Sequence, residues 1–240
     1  RIIGRRISSP QSTRLDATIA LMSAYAAARA VFDRDYYFDG QAGEYTRVRG
    51  TSGTSGQILR GDAYQGGSYG PSGYGASFDK YFSYLYGSVN RANYVIENIN
   101  KRMIPGATGA RLATLESIIA EARLLRGMTY FRLISMWGDV PYIDKIIYSN
   151  SEVTSIERTN IKVVKDAILS DFDYAVAKLP AKNPVLGRAS KPAALAFRGK
   201  LNLYWGSWKK NGWPELEGFT RDAAEAQAAF TASAADFKSV

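Results

Sequence analysis

Apolar residues recur at three- and four-residue intervals along most of this 240-residue chain, a period that suits helices and excludes alternating strands as the main element. Residues 12–32 place Leu15, Ile19, Met22, Tyr25 and Ala26 on one predicted side. Residues 77–101 carry a longer stripe of Phe78, Phe82, Leu85, Val89, Ala92, Ile96 and Ile99, ended by Pro105 and Gly106. A third helix is expected over 110–137, with Ile118, Ala122, Leu125, Thr129 and Arg132 at helical spacing and Gly138 as the residue after its end. A fourth covers 160–179, capped by Thr159 or Asn160 and stopped by Pro180. The fifth starts at Ser190, with Pro192 tolerated in its first turn, and reaches about residue 209. The sixth starts near Thr220, an N-cap candidate, helped by Asp222. Only 140–148 reads as a short strand.

Two of these helices echo each other. Ala122-Arg123-Leu124-Leu125-Arg126-Gly127 matches Ala194-Leu195-Ala196-Phe197-Arg198-Gly199 at the alanine, the arginine and the glycine. A mid-helix glycine costs about 0.5–1 kcal/mol relative to alanine, so Gly127 and Gly199 mark places where a neighbour comes close. Gly127 and Tyr130 fit the first helix of a tetratricopeptide unit, and Phe172, Ala175 and Pro180 fit the second. The expected fold is all-α: tetratricopeptide-like hairpins stacked over about 110–238 as an alpha-alpha superhelix, with a long irregular segment over about 39–76. The signature tryptophan of such repeats is absent, and the interval between the third and fourth helices exceeds the usual repeat of roughly 34 residues.

Composition removes several chemistries. With no histidine and no cysteine, the chain has no His/Cys zinc site, no Cys-His nucleophile and no Ser-His-Asp relay, and a thioether lipid anchor cannot lie within these residues. The formal charge of +9 is spread among acidic residues without basic blocks, which argues against nucleic acid. A hydrophobic fraction of 46% is enough for a core without staples. No uninterrupted run of 18 apolar residues occurs, so no bilayer span is expected. The chain opens at Arg1 without a visible signal peptide, and its alanine-rich end over 222–240 lacks a breaker, so a longer protein is expected.

Four stretches, in order, resemble the SusD/RagB family. They are Tyr86-Gly87-Ser88-Val89-Asn90-Arg91-Ala92-Asn93-Tyr94-Val95-Ile96-Glu97-Asn98-Ile99; then Ala120-Glu121-Ala122-Arg123-Leu124-Leu125-Arg126-Gly127-Met128-Thr129-Tyr130-Phe131-Arg132-Leu133, running into Trp137-Gly138-Asp139-Val140-Pro141. The third is Ile168-Leu169-Ser170-Asp171-Phe172 with Ala175 and Leu179-Pro180; the fourth is Gly187-Arg188-Ala189-Ser190-Lys191, leading into Ala193, Ala194 and Leu203-Tyr204. The resemblance treats 1–240 as one SusD-like helical domain, incomplete at its C-terminal end. It implies a non-catalytic, lipid-anchored protein on the outer face of the outer membrane. Its expected partner is a SusC-like TonB-dependent barrel, its ligand a glycan or oligopeptide, and its membrane contact only an anchor upstream of Arg1. It implies no cofactor and no metal. The alternative class is an intracellular helical-repeat scaffold that binds protein partners. The motifs themselves are packing and turn signatures and transfer no ligand contacts.

Candidate ligand contacts come from the aromatic residues. Tyr36 and Tyr37 precede, and Tyr45, Tyr64, Tyr69 and Tyr74 lie within, a glycine- and serine-rich segment, where flat rings and a slim backbone suit stacking on a sugar or peptide. Trp208 and Trp213 are further candidates, set against the competing role of packing between repeats, to which Trp205 is assigned. Asp33, Asp35, Asp39 and Glu44 have the spacing of a calcium loop, but Phe38 stands where glycine is required. The glycine-rich segment lacks the lysine and hydroxyl residue of a phosphate loop, and no pair of carboxylates stands out for glycoside hydrolysis.

Overall fold

The computed structural model describes residues 10–32 and 78–240, which form six α-helices. These are α1 (Pro10–Phe32), α2 (Phe78–Arg102), α3 (Gly109–Trp137), α4 (Ile161–Lys178), α5 (Lys191–Asn211) and α6 (Ala223–Lys238), with 3₁₀ turns at Asn150–Glu152 and Glu217–Phe219. Two compact units divide the chain: the described part of one covers 10–24 and 89–240, and that of the other 25–32 and 78–88. In the smaller unit, Tyr81 and Leu85 are buried and Phe82 packs on Tyr86, ring centroids 4.8 Å apart.

The larger unit is a succession of antiparallel hairpins. α3 packs on α4, α4 on α5 and α5 on α6, so each helix shares its apolar face with its sequence neighbours, as in a helical repeat. The expected glycines sit where hairpins close. A Cβ on Gly127 would stand 2.6 Å from Phe172 Cε1, and one on Gly199 would stand 3.1 Å from Phe237 Cζ. Beside each glycine an arginine forks onto a carboxylate of the partner helix. Arg126 donates to both oxygens of Asp171 at 2.7 Å, and Arg198 to both oxygens of Asp236 at 2.9 and 2.5 Å. The echo is therefore a two-part lock, Arg-Gly on the first helix of a hairpin and Asp-Phe on the second.

The long interval between α3 and α4 is ordered by side chains. Asn90 pairs its amide with the backbone of Ile147, both bonds 2.8 Å, and Asn93 donates to the carbonyls of Ile143 and Lys145 at 2.9 Å. Glu97 accepts from Ile146 N–H, and the Tyr130 hydroxyl exchanges hydrogen bonds with both backbone groups of Ile143. These contacts use the backbone groups that a strand would need, and Pro141 has no N–H. Consequently the strand expected over 140–148 is reduced to one bridge between Val140 and Thr159.

Gly138 ends α3 at φ 66°, and Asp139 reaches across to accept from Ile161 N–H at 2.7 Å while Asn160 accepts from Lys162 N–H. The start of α4 is thus capped from two directions. At α6 the cap is Asp222, which accepts from Glu225 N–H at 2.9 Å, and not Thr220, which closes the preceding 3₁₀ turn. The expected cap at Thr220 is thus displaced by two residues, to the aspartate expected in the first turn, because the 3₁₀ turn at Glu217–Phe219 delays the start of α6.

The stripe expected on α1 is the exposed one. Leu15, Ile19 and Met22 are 61, 59 and 40% exposed, whereas Ala17, Leu21, Ala24, Ala28 and Val31 are buried. An alanine-rich helix is apolar on two sides, and here the small side chains face inward, where they permit close approach. Leu15–Phe32 is also long and apolar enough, by length and composition alone, to cross a membrane, contrary to the expectation drawn from uninterrupted runs. Alanines raise its average even though Asp16 and Arg29 interrupt it, and 28% of that window is buried.

Replacing Gly127 with alanine should destabilise the protein by about 1–3 kcal/mol, because overpacking against Phe172 outweighs the helix-propensity gain. Denaturant unfolding measures it, and Phe172→Leu in the same background should recover part of the loss.

A candidate binding face at the paired helix ends

The end of α3, the start of α4, the end of α5 and the start of α6 meet at one end of the stacked hairpins, joined by the connection between α5 and α6. Tyr204 and Trp208, four residues apart on α5, share a helix face. Phe219, from the 3₁₀ turn, inserts against them. Its ring stacks on Trp208 with centroids 4.8 Å apart and planes at 15°, and it touches Trp205 at 5.4 Å and Tyr204 at 6.1 Å. Phe131 of α3 meets Tyr204 edge-on at 5.3 Å. Trp213 completes the series, edge-to-face with Trp208 at 5.6 Å.

The outermost ring is held firmly. Gly212 turns at φ 78°, Trp213 N–H donates to Phe219 O at 3.1 Å, and Asp222 N–H donates to Lys209 O at 2.8 Å. Leu216 fills the space over Gly138, and Ile161 lies against Gly218, so the connection is fastened to α3 and α4 as well. Trp213 stays 46% exposed on this rigid base, while Phe219 and Trp205 are 2% exposed.

Electrostatics separate the interior from the rim. The Trp205 indole donates to Glu225 at 2.8 Å, Lys209 pairs with the other Glu225 oxygen at 3.1 Å, and Lys165 lies 4.9 Å over the Trp205 ring. Burial works against the Glu225 carboxylate, but the hydrogen bonds from Trp205 and Lys209 outweigh it and hold its pKa below the usual range. For Tyr204, burial drives the phenol pKa far up, so it stays neutral at any physiological pH. Trp205 is thus a packing residue, as expected, and Trp208 is mainly one. Trp213 alone of the two tryptophan candidates offers a free aromatic face.

The structure brings Trp208 and Trp213 together. Tyr36, Tyr37, Tyr45, Tyr64, Tyr69 and Tyr74 lie outside the described residues, as do the acids of the calcium-like spacing. Sequence reasoning missed Phe219 and Phe131; neither carries a local signal, since each acts through a ring brought from another part of the chain. Among the described residues no group of three or more His, Cys, Asp or Glu is placed to hold a metal. A second cleft, of about 410 Å³, opens at the opposite helix ends between Ser117, Glu121, Pro180, Asn183 and Arg188. Its charges are already paired: Arg188 forks onto the fully buried Glu121 at 3.0 and 2.5 Å, fastening the connection between α4 and α5, and Lys178 pairs with Glu116 at 2.9 Å.

A stack of helix hairpins, each packed on its sequence neighbours, is the architecture of helical-repeat proteins. Residues 58–203 match the SusD-like family model described as "Starch-binding associating with outer membrane", and the chain belongs to that family. A SusD-like protein of Formosa agariphila is 27% identical over 165 residues, 64% of this chain and 32% of that protein. A SusD-like protein of Bacteroides ovatus is 31% identical over 134 residues, 55% of this chain and 23% of that protein. This chain thus spans about a third or less of the curated relatives it matches. Among solved structures, a SusD homolog from Bacteroides thetaiotaomicron superposes with a TM-score of 0.63 at 23% identity, over 91% of this chain and 41% of the other. A laminarin binding SusD-like protein superposes with a TM-score of 0.55 at 25% identity, over 79% and 41%.

The position of Tyr204 gives a pH test. Its raised folded pKa means that the neutral phenol stabilises the fold fully below pH ~10, the unfolded value, and that this contribution is lost as pH rises from there toward the folded value. Stability measured against pH should fall above pH ~10, and Tyr204→Phe should make that fall shallower, by at most about 1.4 kcal/mol per pH unit.

Proposed function

We propose that this chain serves in an outer-membrane surface protein that captures a glycan and passes it to a TonB-dependent barrel, without catalysis. The match of residues 58–203 to a family described as starch-binding and outer-membrane associated carries the reading. The laminarin-binding neighbour favours a glycan over an oligopeptide. No comparable observation supports an intracellular scaffold.

In this reading the hairpin stack is a rigid mount. Preorganised aromatic rings bind sugar faces at low entropic cost, because the surfaces that must be ordered are already fixed by packing. Trp213 is one such ring, and the tyrosine-rich segment with Tyr45, Tyr64, Tyr69 and Tyr74, preceded by Tyr36 and Tyr37, is the second contact surface. Trp208 acts beneath Trp213 and holds it in place. A lipid anchor attached outside these residues would tether the assembly to the membrane.

Calorimetric titration of the full protein with laminari-oligosaccharides tests the contacts. Trp213→Ala and the triple Tyr64→Ala, Tyr69→Ala, Tyr74→Ala variant should each weaken binding about five- to thirty-fold, the ~1–2 kcal/mol expected of an anchoring ring. Unchanged affinity in both would take these rings out of the site. A tagged protein solubilised from its host should also co-purify with a membrane barrel; recovery alone would count against the docking role.

A further inference from the structure

Beside the aromatic rim lies a cleft of about 330 Å³, lined by Lys210, Arg221, Ala223, Ala226, Gln227 and Phe230. Its two cations are exposed and have no ion-pair partner among the described residues. Other cations of the larger unit differ: Lys162 pairs with Asp166, Lys209 with Glu225, and Arg198 with Asp173 and Asp236. The nearest carboxylates are already committed, Asp222 to capping α6 and Glu225 to Trp205 and Lys209. Glu215 and Glu217, on the same connection, do not line the cleft.

An apolar wall faces the cations. The Phe230 ring is pressed onto α5 at Gly206, where a Cβ would stand 2.8 Å from its Cε1, so its position is fixed. Gln227 adds an amide able to donate and accept. The cleft also adjoins the turn that leads into Trp213: Gly212, the residue before it, packs so closely on Arg221 that a Cβ there would lie 3.4 Å from Arg221 Cβ. An aromatic face, a planar guanidinium, an ammonium and an amide together match a sugar ring bearing an oxyanion. The guanidinium suits two-pronged contact with a carboxylate or sulfate, and the ring suits the sugar's C–H face.

Building on the glycan-capture reading, we propose that this cleft is a subsite for the anionic substituent of an acidic glycan, either a uronate carboxylate or a sulfate ester. The formal charge of +9 acts in the same direction, raising the local concentration of anionic ligands.

Calorimetry on the full protein with four probes tests the assignment: neutral laminari-oligosaccharides, oligouronates, sulfated oligosaccharides and inorganic sulfate. At least one acidic oligosaccharide should bind tenfold or more tightly than the neutral one, with affinity falling as salt is raised. The Lys210→Ala, Arg221→Ala double variant, checked for folding by circular dichroism, should lose that advantage and keep neutral binding unchanged. Which acidic probe responds distinguishes uronate from sulfate. Acidic ligands binding no better than neutral ones, or an unchanged double variant, would overturn the subsite while leaving glycan capture intact. Inorganic sulfate binding as tightly as the saccharides would overturn the glycan component. Failure of every saccharide to bind would sink both readings.

Discussion

The buried fork between Arg126 and Asp171 is the contact on which the register of the larger unit depends. Arg126 is 6% exposed and Asp171 3%, and the arginine also donates to Asn93 at 2.8 Å, so one guanidinium ties α2, α3 and α4 together. Burial alone would favour a neutral arginine, but the paired hydrogen bonds to Asp171 more than compensate, and the group stays charged. Such a pair adds little net stability against a well-packed apolar substitute, yet any shift of α3 along α4 would strand both charges out of water. It therefore specifies alignment more than it supplies energy.

The same device recurs at Arg198 and Asp236, with Ser233 donating to Gly199 O at 2.8 Å beside it. Here the arginine is more exposed and also reaches Asp173, so the second lock couples α5 to α6 and back to α4. In both hairpins the glycine next to the arginine admits a phenylalanine from the partner helix. Charge fixes the alignment and the missing Cβ fixes the spacing. A mount of this kind holds the connection between α5 and α6 steady, and with it the tryptophan rim and the basic cleft.

Much of the fold was legible because helix ends carry local chemistry. Pro180, Gly138 and Asn160 fall at or next to observed ends, since a missing N–H, a positive φ or a capping oxygen acts within a turn, and α5 starts after Ser190 with Pro192 in its first turn, without a side-chain cap bond. The family motifs were legible as packing signatures, and their polar members turn out to be mutual partners: Arg126 with Asp171, Glu121 with Arg188, and Asn90 and Asn93 with the segment before α4. The α1 stripe was misread because alanine satisfies either side of a helix. The Asp-Phe halves of the locks gave a weaker signal than the Arg-Gly halves, as Asp236-Phe237 stands in an alanine-rich context unlike that of Asp171-Phe172.

By itself the sequence determined an all-α chain, the approximate ends of its helices, the family it resembles and the absence of histidine or cysteine chemistry. These follow from periodicity, breakers and composition, which act over a few residues or over the whole count. Only the tertiary structure decided which face of α1 is buried, which residue caps α6, and that Phe219 sits between Trp205 and Trp208 while Trp213 remains outside. It alone placed Lys210 and Arg221 in one cleft with Phe230. Those outcomes depend on which helices become neighbours, a property of long-range packing that no local window of residues encodes.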